Sequence, residues 1–184
     1  MKYHYDTQFS GKLKLSRELT NEEAVYLARF SSSRRMKRDV KILTEKYKGE
    51  YGFNGSYGNE GEYFVGGTGD YGQDHDESVI DYNYPAGQSS KHPSKNMPKI
   101  ANIECQPSLW CQWVIEDNKF LLWDGVEKFR HPIEWLNYMI KHFFSVWGIT
   151  LNGTIDYHNA EDEKDAGLIL VVNNFVKDYT LNLV

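Results

Sequence analysis

The chain has 184 residues, 40% of them hydrophobic, with 13 Tyr and 5 Trp and a net charge of −5. This excludes a disordered chain and allows a sizeable core. It contains no run of eighteen apolar residues, so no membrane span is expected, and its first residues, MKYHYDTQFSGK, lack the apolar stretch of a secretory signal, which argues for the cytoplasm.

The charge is uneven. Residues 1–50 hold 12 Lys/Arg against 7 Asp/Glu, residues 51–100 hold 3 against 7, and residues 101–184 hold 6 against 12. A basic head on an acidic body bears on partners and association rate more than on fold. Length and composition fit one domain, 1–184, with residues 44–104 a loop-rich insertion.

Residues 3–16 alternate apolar and polar side chains at Phe9, Leu13 and Leu15, the period of a strand. Thr20-Asn21-Glu22-Glu23 is a capping box that starts a helix, with Val25, Leu27, Ala28 and Phe30 on its apolar side. The basic run Arg34-Arg35-Met36-Lys37-Arg38 comes next. Those cations suit phosphates or an acidic protein surface, with Asp39 orienting one arginine, or else a solvated helix end.

Eight glycines then fall between Gly52 and Gly72, and Pro85, Pro93 and Pro98 come after them. Short strands are expected only at 62–66 and 78–82. A stretch this poor in regular structure is usually functional or mobile. Gly67, Gly69 and Gly72 have the G-x-G-x-x-G spacing of a dinucleotide loop. That loop needs a helix beginning at its third glycine, and QDHDESVIDYNYP carries no helical stripe. Asp74, Asp76 and Glu77 would also repel phosphates, so the match reads as coincidence. DHDESVID (74–81) reads as a solvated acidic loop, because alternation along an extended chain lets few of its carboxylates converge on a cation. Cys105 and Cys111 read as buried thiols of a reducing compartment.

The last eighty residues are more regular. Residues 108–116 and 119–125 form a hairpin about Asp117-Asn118. Residues 129–147 form a helix with Pro132 in its first turn, an apolar stripe of Trp135, Met139, Phe143 and Val146, and Gly148 closing it. Residues 150–158 and 167–176 are two more strands joined by the acidic turn NAEDEKDA. The order gives an α+β fold, a mostly antiparallel sheet with two helices on one face and a long glycine-rich loop region.

Asp156 and His158 share one face of their strand and, with Asp124 and Glu127, suit general acid/base work; the wet face of a half-buried strand is the simpler reading. Trp110 and Trp113 differ in parity, so one of them can face outward as an anchor, whereas Trp135 belongs to the core. Nucleophile-elbow and zinc-ligand spacings do not occur. No catalytic residue, metal or cofactor is assigned, and a binding role is favoured over an enzymatic one.

Residues 106–157 resemble a group of small uncharacterised proteins from bacteriophages and gut bacteria. The shared pattern is LWCQW (109–113), WDG-x-EKF (123–129), EWL-x-Y-x-I (134–140) and WG-x-x-LNG (147–153), with D-x-G-x-I-x-V at 165–171 and R-x-MKRD within 31–39. The resemblance implies a mobile-element setting, in which small acidic proteins without an evident active site act by occlusion. It points to an anti-CRISPR-like inhibitor that binds a bacterial defence nuclease complex in the host cytoplasm by electrostatic complementarity. Arg34, Arg35, Lys37, Arg38, Asp74, Asp76, Glu77, Glu161, Asp162 and Glu163 are the expected contact residues. One alternative is a nucleic-acid-binding or metal-dependent processing protein, with Asp76, Asp81 or Asp156 placing the ion. Another is a structural protein of a phage particle, recognisable by self-association.

Overall fold

The alternation of Phe9, Leu13 and Leu15 places these side chains on the buried face of strand β1 (Thr7–Leu15), with Lys12 and Lys14 outward. The computed structural model describes residue 3 and residues 6–88, 105–160 and 165–182. Glu161, Asp162 and Glu163 therefore lie outside the described residues, as does 89–104 of the expected loop region.

After β1 the chain runs through α1 (Asn21–Ser31), β2 (Lys37–Arg38), α2 (Val40–Tyr47), β3 (Val79–Asp81), β4 (Trp113–Glu116), β5 (Phe120–Trp123), α3 (Pro132–Met139), β6 (Leu151–Asn159), β7 (Asp165–Val172) and β8 (Phe175–Asn182). It folds into two compact units, one of residues 1–24 with 112–184 and the other of residues 25–111. The fold is α+β.

The first unit is built on a six-stranded antiparallel sheet in the order β4-β5-β1-β6-β7-β8. Its inner face carries Phe9, Leu13, Trp113, Leu121, Ile155, Tyr157, Ile169 and Val171, all buried. α3 packs against β4 and β8. Trp113 is fully buried against Phe9 and Phe129 and donates its indole N–H to the Pro132 carbonyl at 2.9 Å. Gly167 is required on β7 because a Cβ there would run into the Tyr157 hydroxyl. The capping box forms as expected: Glu23 N–H donates to Thr20 Oγ1 at 3.2 Å, and Thr20 N–H donates to the Glu23 carboxylate at 2.8 Å.

Four elements differ from the sequence reading. The helix expected over 129–147 is α-helical only over Pro132–Met139 and continues as a π turn, Ile140–Phe144. There Ser145 N–H reaches the Ile140 carbonyl at 2.8 Å, five residues back. The extra residue in the turn rotates the side chains beyond it, and Val146 leaves the apolar stripe for solvent. Residues 167–176 are not one strand either. Asn173 and Asn174 take positive φ (49° and 70°) and fold β8 back onto β7, a two-residue turn that asparagine tolerates.

The third difference is α2, inside the segment read as loop. Asp39 caps it, accepting from Lys41 N–H at 2.8 Å and Ile42 N–H at 3.4 Å, instead of orienting an arginine. The α-helices thus number three among the described residues, where two were expected.

In the second unit Leu43, Tyr57 and Phe64 form a small core with Val40, Tyr47 and Tyr51 packed on it. Residues 62–66 are not a strand. Their carbonyls take side-chain partners in place of a neighbouring ladder: Phe64 O and Glu62 O accept from the Arg35 guanidinium, and Glu62 O also accepts from Gln106. The tyrosine hydroxyl of residue 57 likewise ties Gly49 N–H and Glu50 O, both at 2.8 Å. The glycine-rich segment is held by side chains bonded to backbone.

Candidate binding surface

The basic run and the acidic loop meet each other inside the second unit. Arg38, 3% exposed, donates to Ser78 Oγ at 2.7 Å and to both oxygens of Asp76 at 3.2 and 3.3 Å, with Asp74 at 3.8 Å and the Phe64 ring 5.0 Å away. Arg35, 2% exposed, lies over the Phe30 ring and donates to the carbonyls of residues 62 and 64. Lys37 pairs with Glu60 at 2.6 Å. Arg34 is half-buried, bonded to Tyr82 O at 3.1 Å with its guanidinium 4.3 Å from the Tyr82 ring. Neither an open cationic patch nor a solvated helix end describes Arg35 and Arg38.

Of the acidic residues, Asp74 also accepts Thr68 N–H at 2.7 Å, and Asp76 accepts Ser78 N–H at 2.8 Å. Glu77 is exposed and pairs with Lys46 at 3.2 Å. Burial pushes the Asp76 carboxyl up, but the Ser78 and Arg38 hydrogen bonds and the Arg38 charge outweigh it and hold it below its ordinary value. A carboxylate depressed in the folded state stabilises fully above its unfolded pKa and ceases to do so as pH falls through the folded one. The unfolding midpoint of the parent is therefore expected to drop below about pH 4, and Asp76→Asn should flatten that drop while lowering stability at neutral pH. Denaturant titrations from roughly pH 2.5 to pH 7 check both.

The dinucleotide reading of Gly67, Gly69 and Gly72 fails on local structure. A single 3-10 turn, Asp70–Gly72, stands where the helix would have to begin. The electrostatic objection is weaker than the sequence suggests, since Asp74 and Asp76 face Arg38.

The same loop instead walls an open groove of about 460 Å³, together with Arg29, Ser32, Tyr51 and Val65. Arg29, in the last turn of α1, sits 5.0 Å over the Tyr51 ring. Tyr71 is 71% exposed. Two bulky residues on this groove, Tyr51 (φ 61°) and Tyr71 (φ 54°), occupy the left-handed region, where a large side chain is an outlier held in place by its surroundings. The Tyr51 carbonyl accepts Val65 N–H at 2.9 Å, and the Tyr71 carbonyl accepts Arg34 N–H at 3.3 Å. Gly72 lets the loop close on the segment just after α1, because a Cβ there would lie 2.9 Å from Ser33 Oγ.

The remaining candidates stay apart. Asp156 and His158 are exposed on the outer sheet face, with Tyr157 turned inward. Asp124 caps its own turn, accepting Val126 N–H at 2.8 Å, and burial raises its carboxyl above the ordinary range. Among the described residues no three His, Cys, Asp or Glu side chains converge as metal ligands, and no helix is long and apolar enough to cross a membrane. Cys105 and Cys111 form no disulfide; Cys111 is buried as expected, whereas Cys105 is only half-buried. Trp135 is buried in the core, Trp113 points inward, and Trp110 is half-buried and precedes β4.

The groove was not among the expected contact sites. Its sequence signal is tyrosine beside glycine at Tyr51-Gly52 and Tyr71-Gly72. Comparison with protein-family models, curated proteins and solved structures finds no match to this chain.

Proposed function

We propose that this chain is a binding protein that works by occupying its partner, and that the groove of Arg29, Tyr51, Tyr71 and the Gly66–Gly72 loop is its principal contact surface. The observation that carries this reading is a groove lined by tyrosine, serine, glycine and one arginine, with two tyrosines held at positive φ. Tyrosine supplies large, stiff contact area at low entropic cost, while serine and glycine adapt their hydrogen bonding; protein-recognising loops share this composition. In the phage setting that the motif resemblance implies, the partner is a bacterial defence nuclease complex, blocked without chemistry.

The charge supports the same reading. Arg35, Lys37 and Arg38 are engaged by carbonyls, Glu60, Asp74 and Asp76, three cations with three carboxylates, so the net charge of −5 rests on the remaining residues. An acidic exterior is drawn to the basic channel of a nuclease, which raises the association rate.

The test is phage survival on a strain carrying a nuclease-based defence, with the parent or a variant expressed. Tyr71→Ala, on an exposed ring, should leave folding intact and weaken inhibition by about 30-fold, the effect of losing a binding hot spot. Equal inhibition by Tyr71→Ala and Arg29→Ala would remove the groove from the reading. A shift of single-stranded oligonucleotide at low salt, lost at moderate salt, would replace a protein partner with nucleic acid.

A further inference from the structure

We infer that two copies of this chain pair through the free edge of β8 and form a closed dimer with one continuous sheet. β8 is the last strand of the six, and among the described residues no strand lies on its outer side. It is eight residues long, whereas the opposite edge strand, β4, has four. Its register with β7 runs without a bulge from Asp165↔Asn182 to Val172↔Phe175. Monomeric proteins blunt such edges with proline, bulges, several lysines or a short strand. β8, FVKDYTLN, has one lysine and one inward-pointing carboxylate, Asp178, which accepts the Tyr3 and Tyr157 hydroxyls, but no proline and no bulge. Its outer sheet face shows two aromatic rings on either side of Lys177: Phe175 is 81% exposed and Tyr179 43%, beside Val172 at 48%.

The chemistry of the edge selects a second copy in a definite register. The two-residue turn at Asn173–Asn174 makes Val172↔Phe175 a hydrogen-bonded pair, so the backbone groups of Phe175, Lys177 and Tyr179 face β7. Those of Val176, Asp178, Thr180 and Asn182 face outward. Two copies related by a two-fold axis normal to the sheet pair residues of equal parity, which brings the outward set of one copy onto the outward set of the other. An axis at Lys177 would set lysine against lysine, and an axis at Asp178 would set aspartate against aspartate, both unfavourable. The longest register free of like charges centres on Tyr179. It pairs residue 176 with 182 and 178 with 180, and it sets the two Tyr179 residues opposite each other as a non-hydrogen-bonded aromatic pair, favourable on a sheet. Because the contact is isologous, assembly stops at two copies.

The register makes the test specific. In a non-hydrogen-bonded antiparallel pair the Cα atoms lie about 4.5 Å apart, within disulfide reach. Under mild oxidation, Tyr179→Cys is expected to give a reducible dimer at a yield at least about tenfold above Lys177→Cys and the parent, because disulfide geometry is selective. Sedimentation of the parent should give twice the chain mass of 21.4 kDa. Thr180→Pro removes an outward N–H that β7 does not use, so it should sediment as a monomer with an unchanged circular dichroism spectrum. A monomeric parent at high micromolar concentration, a dimer that survives Thr180→Pro, or stronger cross-linking at Lys177→Cys would each overturn the inference. The outcome is independent of the groove, whose variants leave β8 untouched.

Discussion

Replacing Arg38 with alanine is expected to unfold the 25–111 unit at neutral pH. The side chain is 3% exposed and its removal strands Asp76, Asp74 and Ser78 together. Removing one partner of a buried ion pair costs about 3–5 kcal/mol, a large part of the stability of a unit this size. Arg38→Lys should lose less, because one ammonium keeps the charge but cannot span Ser78 and both Asp76 oxygens as the planar fork does. Arg38→Met combined with Asp76→Asn should recover part of the loss, since of the two carboxylates only Asp74, which keeps the Thr68 N–H, is then left without its cation. Hydrogen exchange over residues 25–88 would track all three variants. Wild-type protection in Arg38→Ala would show that this cluster does not hold the unit together. Simultaneous alanine substitution of Arg34, Arg35, Lys37 and Arg38 is thus a stability variant, and loss of inhibition in it says nothing about contact.

Trp113→Ala should damage the sheet unit to a similar degree. The ring is completely buried, packs edge-on against Phe9 and Phe129, and bonds to the first residue of α3. Large-to-small truncation at such a site costs about 3–5 kcal/mol. Trp113→Phe separates packing from the hydrogen bond: it keeps an aromatic ring but loses the indole bond to the Pro132 carbonyl, which still accepts within α3, at about 0.5–1.5 kcal/mol. Urea unfolding midpoints should order parent, Trp113→Phe, Trp113→Ala. A Trp113→Phe as weak as Trp113→Ala would mean that the Pro132 bond, and not the ring volume, joins α3 to β4.

The features legible in the sequence are local. Thr20 and Glu23 announce a capping box, Phe9, Leu13 and Leu15 announce a strand, and Asp117-Asn118 marks a turn, because each depends on residues a few positions apart. α2 is equally local: Asp39 followed by VKILTEKY is an N-cap and an apolar stripe, overshadowed by the charge of the preceding run. The fate of that run is not legible. Whether Arg38 meets solvent or Asp76 depends on a fold that brings residues 38 positions apart within 3.2 Å. The same holds for Arg35, which takes the place of a neighbouring strand for residues 62–64. The π turn at Ile140–Phe144 is hidden for another reason, since one extra residue in a helix leaves composition and approximate period unchanged.

The order of strands in the sheet has a consequence for biosynthesis. β1 is made first, yet both of its neighbours, β5 and β6, come from beyond residue 119. At about 5–20 residues per second a ribosome needs roughly 5–20 s to reach them. Throughout that interval Thr7–Leu15 waits outside the exit tunnel without a mate while the intervening segment takes shape, so a nascent-chain chaperone that shields this first strand should raise the yield of native protein.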